Sequence, residues 1–196
     1  VHAAKRAGAD AIKLQTYTAD TITINSNKKD FLISKSSPWK NYKNLWNLYD
    51  AAHTPWSWHE KIFNESRKLK MEVFSSPFDE TAVDFLEKLN VNAYKVGSPE
   101  ITNIPLIEKI AKTGKPIIIS SGLSNFNDID DAIKIIRSFN INEICVLKCT
   151  TSYPAPPEEA NLLTIPDISS QFNVLSGLSD HTLGYSAPIA SVVLGA

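Results

Sequence analysis

The stretch Ala93-Tyr94-Lys95-Val96-Gly97-Ser98 decides the fold. It is a short run of residues that suit a pleated sheet, interrupted by one lysine and ended abruptly by glycine and serine. Five further runs share its form: Ala11–Thr16, Met71–Ser76, Pro116–Gly122, Ile144–Thr150 and Val174–Thr182. Short apolar runs alone are compatible with buried helix, but the Val, Ile and Phe content and the polar endings favour strands.

Helical patterns lie between these runs. Thr54 followed by Pro55 reads as an N-cap with proline at the first helical position, after which Ile62, Phe63, Ser66 and Leu69 continue one face. Asp79 can cap a helix that buries Ala82, Val83, Leu86 and Leu89. Asn103 precedes a helix carrying Ile104, Ile107, Ile110 and Ala111 on one side, and Gly114 ends it. Asn125 opens the clearest case, with Ile129, Ala132, Ile133, Ile136 and Phe139 at helical spacing.

Strands alternating with helices imply right-handed crossovers and a parallel sheet, either open or closed into a barrel. No G-x-G-x-x-G follows the first strand, so a dinucleotide-binding sheet has no support. Polar residues instead end every strand, as they do where all strand-to-helix loops converge on one mouth. The expected fold is therefore α/β, a parallel (β/α)8 barrel of the TIM type. Only about six of its eight strands are present. Val1–Gly8 reads as the tail of a helix whose preceding strand is absent, and Ser186–Ala196 as a helix whose following strand is absent. Residues 1–196 are thus expected to be one partial barrel domain.

Composition sets bounds. The 196 residues are 43% hydrophobic and 21% charged, enough apolar material for a sizeable core. A net charge of −1 gives no electrostatic reason to expect nucleic acid or a membrane surface as partner. No apolar run approaches the roughly 20 residues of a membrane span, and the N-terminal stretch lacks the pattern of a signal peptide. Cys145 and Cys149 lie four apart in one strand, on one face but too distant to bridge, so reduced thiols and a cytoplasmic location are expected.

The connection Tyr17–His53 is unusually long for a compact domain. It holds Trp39, Tyr42, Trp46 and Tyr49 among basic residues. These aromatics form either a small satellite core or a lid over a substrate.

Period two puts Lys13 and Gln15 on one strand face and Ile12 and Leu14 on the other. The outer face of a barrel strand packs on helices, so Lys13 and Gln15 point inward, where an unpaired ammonium is costly. Lys95 repeats the arrangement, and Lys148 is a third candidate. Structural carboxylates can neutralise such lysines; a bound anion, phosphate above all, is the alternative. Ser75, Ser76, Ser98, Ser120, Ser121 and Ser179 stand at strand ends, where hydroxyls and adjacent N–H groups can ring an anion, although each alone suits a turn or cap. His181 sits beside Asp180 at a strand end. A metal ligand with an orienting carboxylate and a hydrogen-bonded structural group are both open there. Glu100 is a solvated loop acid, a sugar contact or a proton-transfer group. His2, His53 and His59 show no comparable context and are taken as structural or surface groups.

Six segments occur in one order: Lys13-Leu14-Gln15-Thr16, Phe74-Ser75-Ser76-Pro77-Phe78, Tyr94-Lys95-Val96-Gly97-Ser98-Pro99-Glu100, Ser120-Ser121-Gly122, Cys149-Thr150-Thr151-Ser152-Tyr153-Pro154 and Gly177-Leu178-Ser179-Asp180-His181-Thr182. Together they resemble the sialic acid synthase family over essentially the whole chain. Ala52-His53-Thr54-Pro55-Trp56-Ser57-Trp58-His59 and Leu147-Lys148-Cys149-Thr150 look like the branch of that family that makes pseudaminic acid.

The resemblance implies condensation of phosphoenolpyruvate with an N-acetylated amino-sugar aldehyde, with Mn²⁺ or Mg²⁺ as cofactor and phosphate as by-product. It implies that Lys13, Ser76, Lys95, Ser98, Ser120 and Ser179 contact phosphoenolpyruvate. Gln15, Glu100 and Tyr153 would hold the sugar, and His181 would bind the metal. Glu100, Lys95 and His181 are then the catalytic candidates. Thr151 falls where sialic acid synthases carry asparagine, which removes support for a sugar contact there. The branch implies 2,4-diacetamido-2,4,6-trideoxy-L-altrose as acceptor; N-acetylneuraminate and legionaminate synthesis are the related alternatives. The family also has an acceptor glutamate on a preceding strand, a second metal histidine on a following one and a C-terminal antifreeze-like domain exchanged within a homodimer. Without these, the 196 residues alone are expected to be inactive. By residue chemistry the competitors are a Schiff-base aldolase using Lys148 or Lys95 and a non-catalytic barrel fragment.

Overall fold

The computed structural model describes all 196 residues. They form two compact units, Val1–Val91 and Asn92–Ala196. The fold is of the expected α/β class, an incomplete β/α barrel with six parallel strands.

In the first unit, the short helix α1 (His2–Arg6) leads to β1 (Ala11–Thr16). Then come α2 (Ala19–Ile22), α3 (Leu45–Ala52), α4 (Trp56–Lys68), β2 (Glu72–Pro77) and α5 (Glu80–Lys88). β1 pairs with β2 in parallel, with Lys13 opposite Phe74 and Gln15 opposite Ser76. Alternation then separates two faces: Lys13, Gln15 and Ser76 share one, while Val73, Ser75 and Thr16, all three buried, share the other with the half-buried Ile12 and Leu14.

The second unit contains β3 (Tyr94–Val96), α6 (Ile104–Ala111), β4 (Ile117–Ser120), α7 (Phe126–Ser138), β5 (Ile144–Cys149), α8 (Thr164–Phe172), β6 (Leu175–Ser179) and α9 (Ser186–Val193). Each strand pairs in parallel with the next. Ile117, Ile119, Ile144 and Val146 are at most 1% exposed on one sheet face, and Ile107, Ile110, Ile133 and Ile136 of α6 and α7 are buried to the same degree. The other face carries Lys95, Ile118, Ser120, Cys145, Leu147 and Ser179. No helix is long and apolar enough to cross a membrane.

Three of the expected caps are observed. Asp79 accepts from Thr81 N, Asn103 from Leu106 N, and Asn125 from Asn127 N and Asp128 N. The Asn125 cap is reciprocated by Asp128, which accepts from Asn125 N and completes a capping box. The Thr54 cap is not formed. Pro55, at ψ 131°, is still extended, so α4 starts one residue later with Pro55 in the capping position. The long connection also departs from a satellite core. Tyr17 is buried against Tyr49, His53 and Phe78, but Trp39 and Tyr42 are 46% and 37% exposed, and Trp46 donates its indole N–H to Asp20.

Candidate active site

β3 is only three residues long because Ser98 turns directly into a 3-10 turn, Pro99–Thr102, with proline first. That turn sets Glu100 just beyond the strand end. Lys95 is buried and donates to Ser120 Oγ at 2.5 Å and to Val96 O at 3.0 Å. Ser98 is buried, and its Oγ accepts from Gly122 N at 3.0 Å. A lysine, two hydroxyls and a backbone N–H therefore meet where β3 and β4 end. Two glycines make room. A Cβ on Gly97 would collide with the Glu100 carboxylate, and one on Gly122 with Thr151 Oγ1, while pressing on Cys149 Sγ and Ser98 Oγ at 3.0 Å.

Four buried side-chain polar atoms have no hydrogen-bond partner: Asp79 Oδ1, Glu100 Oε2, Ser124 Oγ and Thr151 Oγ1. All four lie in loops that follow strands, namely β2, β3, β4 and β5. Buried polar atoms are nearly always paired, and an orphan costs about 1–3 kcal/mol, so this placement marks the C-terminal strand ends as ligand-facing. Burial pushes the Glu100 carboxyl above its ordinary range, against the opposing pull of its own backbone N–H and the Lys95 charge.

β5 and β6 end in a second cluster. His181 Nδ1 lies 2.9 Å from Thr150 O. A carbonyl only accepts, so Nδ1 donates and Nε2 keeps a lone pair in the neutral ring. The Tyr153 ring packs on the imidazole at 4.1 Å between centroids. Ala155 N donates to His181 O at 2.8 Å, tying the Tyr153 loop to the end of β6. Asp180 does not orient His181: it accepts from Thr182 N and Thr182 Oγ1. The Thr150 carbonyl, 31 residues away in sequence, does that work instead. A histidine with its second nitrogen so held is suited to bind a cation, although no group of three His, Cys, Asp or Glu residues gathers anywhere in the chain.

Lys148 is not a third inward lysine. It shares strand parity with buried Ile144 and Val146, and its ammonium donates to Cys149 O and Thr150 Oγ1 at 3.0 Å. Burial lowers its pKa. Ser179 lies on the Lys95 side, opposite Cys149 in register. Cys145 and Cys149 are both free thiols, as expected.

In the first unit, Lys13 and Gln15 remain solvent-accessible on the face they share with buried Ser76. Partial burial still pushes the Lys13 pKa down. Ser75 points the other way, into a closed network with Thr16 and His59. Of the remaining histidines, His2 pairs with Glu65 at the surface and His53 bonds Asp50 O. The features missed by sequence reasoning are the Gly122 N–H, the Thr150 carbonyl and the orphaned Ser124 and Thr151 hydroxyls. Ser120-Ser121-Gly122 hinted at the first; the others depend on loop conformation.

The whole chain, residues 1–196, matches the NeuB family. It is 45% identical over 196 residues to a pseudaminic acid synthase of Helicobacter pylori and 42% identical to one of Campylobacter jejuni, all of this chain aligning with 57% of each. An N,N'-diacetyllegionaminic acid synthase of Campylobacter jejuni is 32% identical across all of this chain and 59% of its own length. A crystal structure of an N-acetylneuraminic acid synthetase from Leptospira borgpetersenii, in complex with citrate, superposes with a TM-score of 0.83 at 28% identity. That match covers 98% of this chain and 62% of the other. The spore coat polysaccharide biosynthesis protein SpsE of Bacillus subtilis superposes with a TM-score of 0.81 at 30% identity, over 100% of this chain and 51% of its own. The chain spans a little over half the length of the curated relatives it matches.

Proposed function

We propose, from the premise that this chain belongs to the NeuB family, that the protein carrying it condenses phosphoenolpyruvate with an N-acetylated amino-sugar aldehyde. The products are a nonulosonic acid and phosphate. The acceptor is 2,4-diacetamido-2,4,6-trideoxy-L-altrose, and the product pseudaminic acid, in keeping with the relatives at 45% and 42% identity. The observation that carries the reading is the buried Lys95 ammonium grouped with Ser120, with Ser98 and the Gly122 N–H at the same strand ends. Beside them is Glu100, one of whose buried oxygens has no partner within the protein.

In this reading Lys95, Ser98 and Ser120, with Ser179 at the end of β6, hold the phosphoenolpyruvate anion. Lys95 stabilises the charge that grows on the departing phosphate. C3 of phosphoenolpyruvate forms a bond to the aldehyde carbon, and the aldehyde oxygen takes up a proton. The C2=C3 double bond supplies the electron pair for that bond, water adds at the electron-poor C2 and gives up a proton, and the C2–O bond breaks with its electron pair leaving on phosphate. Glu100, whose carboxyl holds a proton to higher pH than an exposed glutamate, binds the sugar and is placed to move that proton. Tyr153 lines the sugar position. From the first unit, Lys13 and Ser76 are taken as phosphoenolpyruvate contacts and Gln15 as a sugar contact. The Tyr17–His53 connection, with Trp39 and Tyr42 exposed, is taken as a lid.

The chemistry of His181, whose Nδ1 is held by the Thr150 carbonyl so that Nε2 is the nitrogen left to ligate, fits one ligand of a divalent ion, Mn²⁺ or Mg²⁺. When bound, such an ion would polarise the aldehyde as a Lewis acid. The working protein is a homodimer in the same reading.

The test is phosphate release from phosphoenolpyruvate by the full-length protein, offered the altrose, N-acetylmannosamine and the 2,4-diacetamido mannose analogue in turn, with and without Mn²⁺. Release that is fastest with the altrose and abolished by EDTA supports the reading. Covalent trapping of a lysine by borohydride, without phosphate release, would replace it with a Schiff-base aldolase.

A further inference from the structure

The first unit holds a buried polar network that the proposed chemistry does not use. Thr16, the last residue of β1, and Ser75 of β2 point to the helix-facing side of their strands, where α4 presents His59. All three are fully buried. Thr16 Oγ1 lies 2.9 Å from His59 Nε2 and 2.7 Å from Ser75 Oγ, and His59 Nδ1 lies 3.3 Å from Pro55 O.

One arrangement of hydrogens satisfies every bond. The Pro55 carbonyl only accepts, so His59 Nδ1 donates to it and Nε2 is the acceptor. Thr16 O–H then donates to Nε2, and Ser75 O–H donates to Thr16. This is the arrangement of the neutral ring, the form that burial favours by moving the His59 pKa down. Phe63 and Phe85 pack around the imidazole at 6.4 and 5.4 Å between centroids, so no solvent can replace a lost bond.

Both hydroxyls are one residue from proposed substrate contacts. Gln15 precedes Thr16, Ser76 follows Ser75, and Gln15 and Ser76 are register partners on the opposite face. In a strand, tying one residue to the helix side fixes its neighbour toward the other side. His59 also ends the segment Ala52–His59, which none of the proposed chemical steps employs.

We infer that His59 is a positioning residue: through Thr16 and Ser75 it locks the ends of β1 and β2 to α4, and so sets Gln15 and Ser76 for substrate. The inference rests on the reading of Gln15 and Ser76 as substrate contacts.

The test uses the full-length protein with His59→Phe, which keeps a ring but loses the bonds, and His59→Gln, whose carbonyl can accept from Thr16. Thr16→Val and Ser75→Ala remove hydroxyls from the other side and serve where His59→Phe does not fold. Two quantities are read: amide hydrogen exchange at Gln15 and Ser76, and KM and kcat for each substrate. Loss of the network should speed exchange at those two amides and raise KM about tenfold while kcat stays within about threefold, the scale of one buried hydrogen bond. His59→Gln should restore both. Unchanged exchange at Gln15 and Ser76 overturns the inference. So does faster exchange without any rise in KM, provided Gln15→Ala and Ser76→Ala do raise it. If those two variants leave KM unchanged, the substrate reading falls, and exchange alone upholds the lock on the strand ends.

Discussion

At each helix-to-strand turn of this chain, one residue takes a left-handed backbone: Gly8, Lys70, Asn90, Gly114, Asn140 and Asn173, with φ between 50° and 86°. At two of these turns an arginine ties down the carbonyls. Arg67 donates to Leu89 O and Asn90 O, and Arg137 to Phe172 O and Asn173 O. The strand-to-helix loops are built differently: they contain all four orphaned buried side-chain atoms, and the buried Lys95–Ser120 pair joins the two strands, β3 and β4, that run into them. One set of loops is closed by its own hydrogen bonds, and the other leaves bonds unmade. An unmade bond in a buried place weakens the folded state unless a ligand completes it, so the contrast separates stability from function within each βα unit.

The contrast breaks most visibly at Lys95. Lys95→Ala in the full-length protein should lower kcat/KM for phosphoenolpyruvate by about 10²–10³-fold, the usual effect of removing one donor to developing charge. Urea unfolding should change little, because a buried ammonium is costly to fold. A large loss of stability with modest loss of rate would assign Lys95 to the frame instead. Arg137→Ala is the mirror experiment. Losing two bonds to carbonyls at the turn after α8 should cost about 1–2 kcal/mol in urea unfolding, with kcat/KM unchanged where the variant is folded. Next in size is Asn140→Ala. Its φ of 62° disfavours a Cβ-bearing residue without the asparagine side chain, and about 1 kcal/mol of stability should be lost, again with no kinetic signature.

The helix-to-strand turns were nearly silent in the sequence. Gly114 announced itself, but Lys70 has no compositional reason to sit at φ 53°; only the geometry of turning from α4 into β2 demands it. The strand faces were more legible, since period two alone places Lys13 and Gln15 on the face opposite Ile12 and Leu14. Lys148 shows the same rule applied too loosely: counting from Ile144 and Val146 puts it with the buried aliphatics, away from Lys95. His181 was found by its position, but its partner was not. Asp180 is adjacent in sequence, yet its carboxylate turns back to Thr182, while the Thr150 carbonyl arrives from another strand. The orphaned oxygens of Glu100 and Thr151 could not be read at all, because being unpartnered is a property of everything around an atom.

Glu100 gives the finest test, because its cost to the fold should depend on pH. Burial raises the folded carboxyl above the usual glutamate value of 4.5. Between that value and the raised one, the folded state binds more protons than the unfolded, so stability falls as pH rises across the window. Above the window the penalty is present in full; below 4.5 both states are protonated and it vanishes. Glu100→Gln removes the titration while keeping the shape. The variant should therefore melt slightly higher than its parent at pH 7 and indistinguishably from it near pH 4, even as its condensation activity falls. An equal gain at both pH values would mean that the carboxylate charge is already compensated within the protein. Glu100 would then belong with the closed turns, not with the loops that await a ligand.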